Sequence, residues 1–103
     1  MEQDYRQGWK RYQKDAGQGN GNAEAILGGM YANGQSVEQD YKQAFEWSQK
    51  AAKQGDAEAQ ARLGRMYERG LGVEQDYKQA LEWYQKAAKH GDAAAQVMLG
   101  RLY

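Results

Sequence analysis

The feature that most constrains this chain is a repetition. The segment VEQDYKQA stands at Val37 to Ala44 and again at Val73 to Ala80, and a worn copy, MEQDYRQG, opens the sequence. Asp4, Asp40 and Asp76 fall at a constant 36-residue offset with no insertion between copies. Of the 28 positions from Asp40 to Tyr67, 21 recur unchanged from Asp76 to Tyr103. Phe45/Leu81, Ala61/Val97 and Met66/Leu102 exchange one apolar residue for another. A fixed period of this size is the signature of stacked helical hairpins.

Each period reads as two helices. Asp76 precedes an apolar pattern and Gln79 follows three residues later, a capping-box arrangement repeated by Asp40 with Gln43 and Asp4 with Gln7. Tyr77, Ala80, Leu81, Tyr84, Ala87 and Ala88 then recur at helical spacing and predict one buried face. Lys86, Lys89 and His90 make a cationic last turn before Gly91, a residue free to take a left-handed C-terminal conformation. Asp56 and Asp92 are predicted N-caps of the second helix. Ala59, Gln60, Leu63, Gly64 and Tyr67 form its packed side, and Gly28 and Gly100 match the helix-interior Gly64. Gly70, Gly72 and Val73 form the turn into the next hairpin. Such a helix pair cannot bury its apolar face alone, so each copy serves as a wall for the next.

The expected fold is therefore all-α: an α-solenoid of three antiparallel helix hairpins, about six helices, in one domain over residues 1–103. Its repeat units are 4–39, 40–75 and 76–103, the first degenerate and the last truncated. In the first copy Gly8 replaces an alanine, Arg11 a tryptophan and Asp15 an alanine, and Gln35-Ser36 stand where Leu71-Gly72 stand later. Added glycine costs backbone entropy, so this repeat is expected to be the least stable and to act as an eroded cap.

The run from Ala57 to Asp92 resembles the Sel1-like repeat, a relative of the tetratricopeptide repeat. The resemblance rests on Ala57 and Ala59, Leu63-Gly64, Tyr67, the GLGV turn at Gly70 to Val73, Asp76, Ala80, Trp83-Tyr84 and KAAKHGD at Lys86 to Asp92. It implies a right-handed, tetratricopeptide-like superhelix whose concave face holds protein segments and assembles complexes. Some relatives are bacterial secreted or periplasmic proteins, and others act in endoplasmic-reticulum quality control. One cysteine-rich group is linked to β-lactam binding; this chain has no cysteine, so that activity is not carried over.

The face of the second helix opposite its packed side is expected to line the groove. It carries Glu58, Arg62, Arg65 and Arg69 in the middle repeat, Asn22, Ile26 and Asn33 (with Gly29) in the first, and Met98 and Arg101 (with Ala94) in the third. Arginines pointing one way could hold carboxylates through paired donors, which suggests an acidic or C-terminal peptide. The competing reading makes these ordinary solvated helix positions.

Other chemistries find little footing. Lysine plus arginine balances aspartate plus glutamate at 14 each, which gives no field to gather nucleic acid. Trp47, Trp83, Tyr41, Tyr77, Tyr67 and Tyr103 recur with the period and are assigned to packing between hairpins instead of base stacking. His90 is read as a solvated helix-end residue. With only Ser36 and Ser48 as serines, and neither threonine nor cysteine, no nucleophile and base assemble. The ligand spacing of a metal site is missing, and the glycines form no phosphate loop. The reading therefore has no catalytic residue, metal or cofactor.

The expected function is a non-catalytic adaptor that binds a protein or peptide. Its alternatives are a bacterial immunity or inhibitor protein for one toxin or enzyme, then a structural self-associating module, with an enzyme acting on β-lactams or peptidoglycan ranked last. Ala95, Leu99, Leu102 and Tyr103 would normally be covered by a following helix pair. They suggest either a piece of a longer solenoid or a homodimer through the C-terminal hairpin. No apolar run approaches the roughly 18 to 20 residues that cross a bilayer, so no membrane insertion is expected. The compartment is left open by the sequence: cytoplasmic as the chain stands, periplasmic or secreted if an upstream signal was removed.

Overall fold

A computed structural model describes residues 2–35 and 37–102, with side chains for residues 8–35 and 37–101. The described residues form six helices and no strand: α1 (Glu2–Gly17), α2 (Gly21–Asn33), α3 (Tyr41–Lys53), α4 (Ala57–Arg69), α5 (Tyr77–Lys89) and α6 (Ala93–Leu102). Each helix packs on its neighbours in sequence, most closely α2 on α3 and α4 on α5. The stack measures 44 × 23 × 22 Å.

The caps explain why the helices start where they do. Asp40 Oδ1 accepts from the amides of Lys42 and Gln43 at 3.0 and 3.2 Å, and Asp76 Oδ1 from that of Gln79 at 3.1 Å. Asn20, Asp56 and Asp92 accept from Ala23, Ala59 and Ala95 in the same way. These bonds satisfy amides that an isolated helix start leaves open. The expected reciprocal half of the capping box is not used. The Asp40 and Asp76 amides donate instead to the carbonyls of Tyr31 and Tyr67, both at 2.9 Å, which ties each outer helix to the end of the preceding inner one. Asp4 and Gln7 lie outside the described side chains, and α1 begins two residues before Asp4.

Three apolar clusters run along the stack, and alanine dominates them. Ala16, Ala23, Leu27 and Met30 form the first, with Trp9, Tyr12, Val37 and Trp47 against it. Ala25, Ala51, Ala52, Ala59 and Leu63 form the second, with Phe45 and Trp83. Ala61, Ala80, Tyr84, Ala87 and Ala95 form the third, with Tyr67, Ala88, Met98 and Leu99. Trp47 and Trp83 therefore each reach into the preceding repeat's core, as their recurrence predicts. Lys50 and Lys86 lie over the two tryptophan rings at 4.6 and 4.4 Å.

Tyr77 departs from the expected buried face, being 60 % exposed. Its counterpart Tyr41 is half-buried, and there Gly72, at φ +71°, brings the α4–α5 turn onto the Tyr41 carbonyl, where any Cβ would collide. No such turn stands over Tyr77 among the described residues.

The three matching glycines also differ. A Cβ on Gly64 would lie 2.7 Å from the Tyr84 ring, whereas one on Gly28 would meet Ser48 Oγ at 2.5 Å and Arg62 Nη1 at 3.1 Å. One on Gly100 would meet nothing within 4 Å. Gly64→Ala should therefore cost about 1–3 kcal/mol through overpacking, while Gly100→Ala should be neutral or gain up to about 1 kcal/mol from helix propensity. Urea unfolding of the two variants checks this, and equal losses would contradict the packing described.

Candidate groove site

The inner row of helices positions the site. Among the described residues α2 meets α4, while α3 and α5 make no comparable approach, and a shared depression continues this row to the first turn of α6, so α2, α4 and the start of α6 make up the concave side. Two depressions open on it. A smaller one of about 230 Å³ lies between α2 and α4, lined by Asn22, Ile26, Gly29, Asn33, Glu58 and Arg62 among others. A larger one of about 480 Å³ is bounded by Asn33, Glu58, Arg62, Arg65 and the first turn of α6 at Asp92 to Ala94.

Most of the anticipated groove residues border these depressions. Asn22, Ile26, Asn33, Glu58 and Arg65 are exposed, Ile26 at 40 %. Arg69, at the end of α4, borders neither depression. Met98 is half-buried against the third core cluster, and Arg101 is exposed with Nη1 3.8 Å from Met98 Sδ.

Arg62 differs from the solvated residue that its position on the wheel suggests. Its side chain is only 14 % exposed. Nη1 donates to the Ala25 carbonyl at 3.1 Å and to Ser48 Oγ at 3.3 Å, and Nη2 stands 3.6 Å from Glu58 Oε1. Burial holds the guanidinium below its ordinary pKa; Glu58 and Asp56 offset this, and Arg65 adds to it.

The reason for the inward turn is room. Gly28 and Gly29 leave α2 without side chains at this point, and Ser48 is small. One repeat later Tyr84 occupies the Ser48 position and fills the space over Gly64, its hydroxyl donating to Glu68 Oε1 at 2.8 Å. There the Arg62 position is taken by Met98. The paired differences Ser48/Tyr84 and Arg62/Met98 were the available sequence signal for this exchange of volume.

The self-association residues need correction. Ala95 is fully buried and Leu99 packs into the third cluster, because α6 turns both toward α5. The outward positions include Val97, 64 % exposed, and Gly100. The Leu102 side chain and Tyr103 lie outside the described residues.

His90 is exposed at the end of α5, and its Nδ1 lies within hydrogen-bond distance, 3.1 Å, of Gln60 Oε1. The matching pair one repeat earlier is Gln54 donating to buried Glu24. Among the described residues no group of three or more His, Cys, Asp or Glu could hold a metal ion, and no helix is long and apolar enough to cross a membrane.

A further cavity, of about 800 Å³, lies off the groove, bordered by Trp9, Lys10, Tyr31 and residues Val37 to Asp40. Sequence reasoning missed it. Its Asp40 carboxylate is occupied as the α3 cap, and the Gln39 amide donates to the Ala32 carbonyl and Tyr41 Oη. The Trp9 Nε1 is buried without an acceptor. The groove, with its uncommitted arginine and asparagine side chains, offers more recognition chemistry.

Consecutive antiparallel hairpins with a concave inner helix row define an α-solenoid of the tetratricopeptide-like class. The Sel1 repeat family model matches residues 21–56 and 57–92, and the chain belongs to that family. These matched units begin at an inner helix, half a period from units counted from Asp4, Asp40 and Asp76.

Solved structures agree. A Sel1 repeat protein from Oxalobacter formigenes is 39 % identical with TM-score 0.85, over 95 % of this chain and 40 % of that one. A protective antigen of uropathogenic Escherichia coli, c5321, is 42 % identical with TM-score 0.80, over 82 % and 18 %. Helicobacter pylori cysteine rich protein B is 30 % identical with TM-score 0.81, over 88 % and 68 %. The chain thus spans well under two thirds of the first two. None of the curated proteins matches it.

The shared-volume account of Arg62 makes a quantitative prediction. Ser48→Tyr and Arg62→Met should each destabilise by about 1–3 kcal/mol, one by overpacking and one by leaving a gap and an unpaired Ser48 hydroxyl. The double variant should recover at least about 1 kcal/mol of the summed loss. A double-mutant cycle in urea measures it, and strict additivity would mean that the positions do not share the space.

Proposed function

We propose that the chain is a non-catalytic interaction scaffold that holds a peptide or protein partner in the groove of α2, α4 and α6. Sel1 repeats are generally protein–protein interaction scaffolds, which supports this class of function. The observation that carries the reading to the groove is Ile26. It is one of the few large apolar residues exposed among the described residues, and it sits on the concave row with Asn22, Asn33, Glu58 and Arg62 around it. An apolar centre with a polar rim is the arrangement of an interaction patch.

Because Arg62 is engaged in packing, the test leaves it in place. An Ile26→Glu, Arg65→Glu variant should keep its helical circular dichroism and lose a partner captured by the wild type from the source cells. With that partner purified, calorimetry should register at least a tenfold weakening, about 1.4 kcal/mol. A Lys78→Glu variant on the outer row should bind normally. Undiminished binding by the groove variant would remove the groove from consideration. One very tight partner, to the exclusion of others, would identify an inhibitor or immunity role for the same surface.

A further inference from the structure

We propose that the larger depression of this groove, which Arg62 and Arg65 both border, receives a carboxylate of the bound polypeptide on these two arginines. The proposal rests on the groove reading and adds the chemistry of the partner. Its basis is an imbalance at Arg62. A guanidinium removed from water normally acquires a close anionic partner, because a buried uncompensated charge is costly. Here Nη1 is satisfied by two neutral oxygens, those of Ala25 and Ser48.

The acid nearest to Nη2 is Glu58, whose oxygen stands 3.6 Å away, beyond hydrogen-bond reach, on a side chain 80 % exposed. Such a solvated pair contributes little. The other acids around the depressions are committed: Asp56 caps α4 and Asp92 caps α6.

Geometry leaves the approach open. A Cβ on Gly29 would lie 3.0 Å from Arg62 Nη2, so the glycine keeps this edge of the guanidinium uncovered by α2. Arg62 borders both depressions and Arg65 borders the larger. The two cations repel, and an anion placed against both relieves the repulsion. A carboxylate arriving here takes over the role that Glu58 fills poorly, and exchanges one weak ion pair for shorter, charge-assisted bonds. An acidic side chain and a chain terminus offer the same group.

The test uses three acetylated pentapeptides at matched ionic strength: a glycine peptide with central aspartate and amidated end, an all-glycine peptide with a free C-terminus, and an amidated peptide with central asparagine. The readout is the Arg62 Nε–Hε resonance in nitrogen-edited NMR of the full chain. One or both carboxylate peptides should shift it saturably, the asparagine peptide should not, and the responding peptide identifies the source.

Glu58→Gln should tighten binding about two- to fivefold by removing the competing acid, and Arg65→Gln should loosen it by a similar factor. Both residues are exposed, so neither variant threatens the fold. An unmoved Arg62 resonance, an equal response to the asparagine peptide or to added chloride, or an affinity indifferent to Glu58→Gln would overturn the proposal. If in that case partner capture still fails with the Ile26 variant, the groove binds by other chemistry; if capture also survives that variant, the groove reading falls with it.

Discussion

The stack depends on what fills the space over the inner-helix glycines. At Gly64 it is the ring of Tyr84, and at Gly28 it is Ser48 together with the guanidinium of Arg62. These contacts set how closely each outer helix lies on the inner helix before it. The alanine-rich clusters, the reach of Trp47 and Trp83 into the preceding core and the bonds from Asp40 and Asp76 to Tyr31 and Tyr67 all require that spacing. A solenoid has no single core to absorb an error, so the fit must be made again at every hairpin.

The architecture was legible because a strict period converts local patterns into a tertiary statement. Asp56 and Asp92 before each inner helix, and the recurrence of Ala59 with Leu63 at Ala95 with Leu99, place helix ends and buried faces without any knowledge of neighbours. What the wheel could not give is the direction of a side chain whose surroundings come from other repeats. Arg62 projects on the solvated side of α4 yet is drawn inward by a vacancy left by Gly28, Gly29 and Ser48, residues 14 to 34 positions away in the chain. Tyr77 fails in the opposite sense. Its pattern is that of a buried residue, yet it is exposed, while Tyr41 at the matching position is half-buried where the α4–α5 turn meets its backbone.

Charge follows the same logic of displacement. The even totals of acids and bases conceal how they are spent: five cap positions take an aspartate or asparagine, and two lysines lie over tryptophan rings. What remains around the larger depression is one exposed acid, Glu58, and two arginines: Arg62, deep in the groove with neutral oxygens as its closest partners, and the exposed Arg65. A neutral protein can thus hold a locally cationic site, because helix caps and cation–π contacts take charges out of the balance available for recognition.

The repeats differ at the positions proposed for recognition more than at those that pack. Along the inner helices the packed positions read Ala23, Ala59, Ala95, then Leu27, Leu63, Leu99, then Gly28, Gly64, Gly100. The groove positions read Asn22, Glu58, Ala94, then Ile26, Arg62, Met98, then Gly29, Arg65, Arg101. Stacking demands the same sizes in each copy and therefore tolerates little change. A concave surface that met only solvent would have no reason to exclude such change; on the proposed scaffold reading, the isoleucine left bare beside a buried, weakly countered arginine is where the partner sits. Exposed apolar area and undercompensated charge both carry a free-energy cost in the unbound protein, and both are relieved by a partner that covers the isoleucine and brings an anion.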